Sequence, residues 1–229
     1  MRLGLFGGTF NPIHICHLAI AAQTRDRMGL DRVLFIPTGD PPHKPPGVLA
    51  PAEHRCEMVR LAIAGEPSFA LTDIEVRRPT KSYSIDTVRE LQRDYGPSTT
   101  LFFIIGLDAF LDFDSWREAS TLLRLCRFVV VSRPGTLFRS IEKISLLPPI
   151  APRAACRAGR RSEGPRRCAD SRRQRPLAAP PFRPAWSPPR TFATASGSDS
   201  AWRICCPPPV ESYIIQHKLY LEDADRTGV

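Results

Sequence analysis

Two short runs, Leu101–Ile105 (LFFII) and Phe128–Val131 (FVVV), are apolar at every position. A strand with one wet face alternates apolar and polar residues. A strand without alternation is buried on both faces, which points to a parallel sheet covered by helices. Leu3–Phe6 and Asp31–Pro37 read the same way. Between them Cys16–Met28 has helical spacing, with Leu18, Ala21, Ala22 and Met28 on one side and Gly29 as its stop. Ala52–Ala64 repeats that period with Met58, Leu61 and Ala62, and Ser84–Tyr95 does so with Ile85, Val88 and Leu91. Phe69–Val76 reads as extended, and helical pattern fills the gap between LFFII and FVVV. Strand then helix, repeated, predicts an α/β fold: an open parallel sheet with helices on both faces.

After about Pro149 the periodicity stops. Residues 151–209 hold 12 Arg, no Lys and three acids, which accounts for the whole formal charge of +9; they also hold 11 of the 24 prolines. Such a composition cannot bury a core, so residues 151–206 are expected to be disordered. Pattern returns at Val210–Leu221, read as a terminal helix and a short strand. The domain reading is therefore 1–150, an intervening 151–206, and 207–229 as the tail of the first unit. A basic balance concentrated in one segment with few aromatics disfavours a nucleic-acid partner. No run reaches the ~18–20 apolar residues of a membrane helix, and the N-terminus lacks a signal-peptide h-region, so the expectation is a cytoplasmic protein without membrane contact. The seven cysteines are irregularly spaced and support neither a zinc site nor a disulfide framework; Cys56 and Cys126 read as buried thiols.

The chemistry concentrates in Gly7–Leu18, GGTFNPIHICHL, where the first strand meets the first helix. Ligands of open α/β sheets bind at the carboxyl ends of strands, and a helix N-terminus offers N–H groups to phosphate. Gly7 and Gly8 allow close backbone approach. His14 and His17, three apart, share one face of the opening turn and can donate to a triphosphate. A histidine pair at this spacing alone is more often surface decoration; strand–GGTFNP–H–x–x–H–helix is far more specific.

This stretch resembles the signature of nucleotidyltransferases carrying an H-x-G-H motif, and within them the bacterial nicotinate-nucleotide adenylyltransferases. Further matches occur in the family's order: Pro41–Lys44 (PPHK), Arg55–Ile63, Ser82–Val88 (SYSIDTV), Phe103–Trp116, Ser132–Gly135 (SRPG) and the closing YIIQHKLYL. The resemblance covers roughly residues 1–136 and 207–221. It implies a Rossmann-like fold and adenylyl transfer from ATP to nicotinate mononucleotide in NAD biosynthesis, with Mg²⁺ entering on ATP and no metal site on the protein. It further implies that Gly7, Gly8, Thr9 and Phe10 border the nucleotides and that His14, His17 and Lys44 contact phosphates. Arg133 would sit near ATP. Ser82, Tyr83 and Trp116 would line the pyridine pocket, and Asp108 would bind ribose or help to hold metal. Without the resemblance, Trp116 reads equally well as a core aromatic, Asp108 as a helix cap and Lys44 as a solvated loop residue.

Two departures stand out. Cys16 occupies the place of the family's glycine between the histidines, and Asn11 stands where Asp is commoner. A larger one is the absence of an I-S-x-T-x-I-R stretch, which in the family binds ATP phosphates near the C-terminus. Reading the last base of each codon with the first two of the next, Trp186–Ala193 permits V-S-A-T-D-I-R, and Trp202–Cys206 permits A-x-L-L. Part of residues 137–206 is thus expected to be translated out of frame, with recovery near Pro207. The alternatives are a genuine Arg/Pro-rich insert, or a chain of this family that has lost activity with its phosphate-binding motif.

Overall fold

The computed structural model describes residues 1–39, 49–131, 144–147 and 205–220, and the backbone of 177–178. Five parallel strands form the sheet: β1 (Arg2–Gly8), β2 (Arg32–Pro37), β3 (Phe69–Leu71), β4 (Thr100–Gly106) and β5 (Arg127–Val131). A two-residue β6 (Leu177–Ala178) adds to the β5 edge, and the spatial order is β3-β2-β1-β4-β5-β6. The helices are α1 (Ile15–Met28), α2 (Ala52–Ile63), α3 (Ser84–Tyr95), α4 (Leu107–Leu111), α5 (Ala119–Leu125) and α6 (Pro208–Gln216).

Alternate residues of each strand feed opposite faces, as the two-residue period requires. Leu3, Leu5, Leu34, Ile36, Phe103, Ile105, Phe128 and Val130 pack against Val88 and Leu91 of α3, Phe110 of α4 and Leu122 of α5. Phe6, Val33, Phe35, Phe102, Ile104 and Val129 pack against Ala21 of α1, Met58 and Val59 of α2, and Val210 and Ile214 of α6. Both faces are therefore dry, which explains the unbroken apolar runs. Gly29 ends α1 in the left-handed conformation, φ 57°, its N–H donating to the Arg25 carbonyl.

The chain adds β2 and β3 on one side of β1, then returns to place β4 and β5 on the other. The carboxyl ends of β1 and β4 are thus a topological switch point, where the outgoing loops part and leave a crevice.

Three expectations need correction. Phe69–Val76 is not extended throughout: β3 stops at Leu71, and the chain turns so that Ile74 and Glu75 are buried. The last residues of the tail do not form a strand. Residues 217–220 are a turn in which Lys218 and Tyr220 have positive φ. Within 151–206, β6 is regular structure, and Cys205 and Cys206 are buried against the α1 side. The reason is local: two residues suffice to take up the bonds of the β5 edge, and a thiol is small and apolar enough for the core. The remainder of 151–206, with Pro41–Lys44 and Ser132–Gly135, lies outside the described residues.

Candidate active site

The β1–α1 turn is built around one aromatic ring. Phe10 has φ 44°, and its side chain is buried against Phe6, Phe35 and His17, at centroid distances of 5.7, 5.8 and 5.1 Å. A non-glycine residue in that region costs about 1–3 kcal/mol, offset here by burial of the ring. The turn thereby aims the main chain of Gly7–Thr9 at the crevice, with Gly7 exposed and Gly8 and Thr9 half-buried.

His14 caps α1 and His17 lies in its first turn. Their rings stack at 3.7 Å between centroids with 31° between planes. The His14 backbone N–H donates to Nδ1 of His17 at 3.2 Å. An accepting Nδ1 carries no proton, so neutral His17 holds its hydrogen on Nε2. The first turn of α1 has no acidic residue, and its first N–H, that of Ile15, donates to the Cys205 carbonyl at 2.8 Å. The pair therefore presents imidazole donors and a helix dipole together, which suits a polyanion.

Across the switch point, α4 follows β4 directly. Asp108 is exposed in the first turn of α4, its carboxylate folded back over Gly106, so it is not the cap of that helix. Trp116 is half-buried, edge-on to Phe103 at 6.0 Å and tilted against Phe113 at 5.6 Å. It serves the core with part of its surface and leaves the rest exposed. Its neighbour Arg117 lies 4.8 Å over the Tyr83 ring, so the segments carrying Tyr83 and Trp116 meet. Ser82 donates its hydroxyl to the Glu75 carbonyl at 3.2 Å. Gly7 and Gly8 end β1, and Thr9, Phe10, His14, His17, Ser82, Tyr83, Asp108 and Trp116 lie on the loops or helix starts that follow the strands. Lys44 and Arg133 lie outside the described residues.

Behind the Ser82–Tyr83 turn is a buried carboxylate that sequence reading did not single out. Glu75 accepts from the Thr87 hydroxyl at 2.8 Å, and Arg78 reaches Thr87 at 3.2 Å and Glu90 at 2.8 Å. Burial pushes the Glu75 carboxyl above its ordinary range, while the Thr87 hydroxyl and the Arg78 charge pull the other way. A carboxyl raised in the folded state favours folding most at low pH; that contribution fades as pH rises above the unfolded value near 4.5. Glu75→Gln removes the dependence. Its melting temperature relative to the parent is expected to improve between about pH 5 and about pH 8, read by thermal unfolding. A difference that stays constant with pH contradicts the burial argument.

Arg55 is the other omission. It is 2% exposed and has no carboxylate partner among the described residues. Burial lowers its pKa from the ordinary guanidinium value. The signal was present in the sequence: Arg55 falls on the same helix face as Met58, Val59 and Ile63. Cys126 and Cys206, by contrast, are inert thiols, each pushed up to about 12 by burial.

The comparisons with known proteins agree with this geometry. Residues 5–163 match the cytidylyltransferase-like family model, well over half of the chain. The chain belongs to the cytidylyltransferase-like family. Among curated members it is 56% identical over 141 residues to the probable nicotinate-nucleotide adenylyltransferase of Geobacter metallireducens, covering 62% of this chain and 65% of that protein. The likeness to the protein of the same name from Pelobacter propionicus is 56% over 135 residues, covering 59% and 62%. The chain thus spans a little under two thirds of the length of these relatives. Among solved structures, the Plasmodium falciparum nicotinic acid mononucleotide adenylyltransferase complexed with NaAD superposes with a TM-score of 0.66. That match covers 96% of this chain and 97% of the other, and at 18% identity it shows the shared fold. Among the described residues of this family member, no helix is long and apolar enough to cross a membrane.

Proposed function

We propose that this chain transfers the adenylyl group of ATP to nicotinate mononucleotide, forming deamido-NAD and releasing pyrophosphate. The observation that carries the reading is the placement of two recognition elements on either side of one switch point. The His14–His17 stack and the first turn of α1 follow β1. The half-buried Trp116 and the Arg117–Tyr83 stack lie beyond β4. The first suits a triphosphate and the second a flat, anionic ring.

The attacking group is the 5′-phosphate of the mononucleotide, already anionic, so no general base is needed. It displaces pyrophosphate from the α-phosphorus in line, and the protein's task is positioning and charge neutralisation. The Nε2–H of His17 and the ring of His14 donate to phosphate oxygens and stabilise the charge that builds on the leaving group. Lys44 adds a point charge to the same oxygens, and Arg133 sits beside ATP. The main chain of Gly7, Gly8, Thr9 and Phe10 borders both nucleotides. Ser82 and Tyr83 line the pyridine pocket with Trp116 stacking on the ring, and Asp108 takes a ribose hydroxyl.

Mg²⁺ fits this site as a passenger on ATP. Among the described residues no group of three or more His, Cys, Asp or Glu could hold an ion, and Asp108 is the carboxylate at the mouth that could complete its coordination. When bound, the ion screens the triphosphate charge.

For the organisation of the chain we propose one catalytic unit from residues 1–150 and 207–229, with part of 137–206 read out of frame. Cys205 and Cys206 support this, since both occupy buried apolar positions where the shifted reading supplies Leu-Leu.

The pocket assignment is tested by Trp116→Ala. Stacking on an aromatic is worth ~0.5–1.5 kcal/mol beyond area burial. Affinity for nicotinate mononucleotide should fall by about 3–10-fold while that for ATP holds, read by calorimetry. Equal losses for both ligands would make Trp116 a core residue only.

A further inference from the structure

The loops around the crevice are tied together by two side chains with no role in the mechanism above. Arg55, buried in the first turns of α2, spends its guanidinium on main-chain carbonyls. Nε donates to Ala50 at 2.9 Å, one terminal nitrogen to Thr9 at 2.8 Å and the other to Gly39 at 3.0 Å. Those oxygens belong to the loop after β1, the loop after β2 and the entry to α2. A planar fork can bridge three diverging segments in this way; a single ammonium cannot. Gly39 is held equally tightly on its other side, since a Cβ there would run into the Glu75 carbonyl oxygen.

The second tie comes from the far end of the chain. The Tyr220 hydroxyl donates to Oδ1 of Asn11 at 2.7 Å, and the same oxygen accepts from the Ala50 N–H at 2.9 Å. The segment around Tyr220 meets the β1–α1 turn at two further points. The Ile15 N–H donates to the Cys205 carbonyl at 2.8 Å, and the Cys206 thiol to the Ile13 carbonyl at 3.4 Å. Val210 and Ile214 complete the contact by packing in the same apolar cluster as Phe10 and Ile13.

We propose that Arg55 and Tyr220 are positioning residues that preset the β1–α1 loop for phosphate before any ligand arrives, Arg55 from α2 and Tyr220 from the C-terminal turn through Asn11. The inference rests on the phosphate-binding reading of that loop for its purpose, though not for its geometry. It makes residues 205–220 part of the site. The α6 helix and the turn at 217–220 order the loop that carries His14 and His17.

The test uses the full chain with Tyr220→Phe and Arg55→Lys, each compared with the parent by backbone amide exchange and by calorimetric titration with Mg²⁺–ATP. Tyr220→Phe removes one hydroxyl from a half-buried position and leaves the ring, so the fold is retained. Exchange in residues 9–15 should speed up about 3–10-fold, with the strands unchanged, and ATP affinity should fall by a similar factor. Arg55→Lys should do more, by about 10-fold or greater, because retained charge does not replace the three-way fork. Rescue by lysine would show that Arg55 acts only through its charge and would overturn its half of the proposal. Unchanged exchange in residues 9–15 for Tyr220→Phe, or an increase spread evenly over sheet and helices, would overturn the other half. If neither the parent nor its frame-restored form binds ATP, the functional reading falls, and the exchange data still decide whether the clamp exists.

Discussion

Alanine at position 17 is expected to cut adenylyl transfer by ~10²–10³-fold while leaving the fold intact, the usual cost of removing one preorganised donor to developing charge. His17 has the geometry for such a loss. Its ring is held edge-on by Phe10 and stacked by His14, and its Nδ1 is engaged by the His14 amide. No freedom need be lost at the moment of reaction. The ring is half-buried and accepts the N-cap N–H of α1, so its loss should cost about 1 kcal/mol of stability with the fold retained. Steady-state kinetics on a chain with its reading frame restored is the measurement. A variant that retains full turnover would remove His17 from the mechanism.

Restoring the frame is itself expected to have a large effect. The chain as written lacks the I-S-x-T-x-I-R stretch, and the shifted codons at Trp186–Ala193 permit V-S-A-T-D-I-R in its place. By the resemblance, that motif would bring an arginine and the start of a helix to the ATP phosphates. Each such contribution to a phosphoryl site is worth ~10² or more, so the restored chain should exceed the written one by at least that factor. Resequencing the coding DNA between codons 130 and 215 shows whether the restored frame is the natural one. Equal activity of the two chains would instead make the Arg/Pro-rich segment a genuine and harmless insert.

What could be read from the residues alone was whatever depends on local periodicity. LFFII and FVVV announced strands buried on both faces, and β4 and β5 are buried there. Gly29 announced the end of α1 because a left-handed residue ends helices cheaply. The β1–α1 turn was legible because its chemistry is contiguous: glycines, strand end and histidines fall within twelve residues. What depends on distant pairs was not legible. Arg55 lies on the apolar face of α2, but the three carbonyls it binds come from separate loops, and Tyr220 lies 209 residues from the Asn11 it binds. The length of β3 also escaped, because Asp73–Val76 has strand-like composition but turns inward to bury Glu75. At Glu75 a tertiary hydrogen bond, from the Thr87 hydroxyl, outweighed the local preference.

A site that joins ATP to a mononucleotide bearing a carboxylate ring must choose among acceptors. The most direct measurement incubates the frame-restored chain with Mg²⁺–ATP and, in separate reactions, nicotinate mononucleotide, nicotinamide mononucleotide or phosphopantetheine, and identifies products by mass. The expected products are deamido-NAD and pyrophosphate in equal amounts from the first acceptor, at a rate about 10² or more above the other two, as follows when a site is built for one polar group. Comparable transfer to the nicotinamide or pantetheine acceptor, or no adenylylated product at all, would contradict the proposed function.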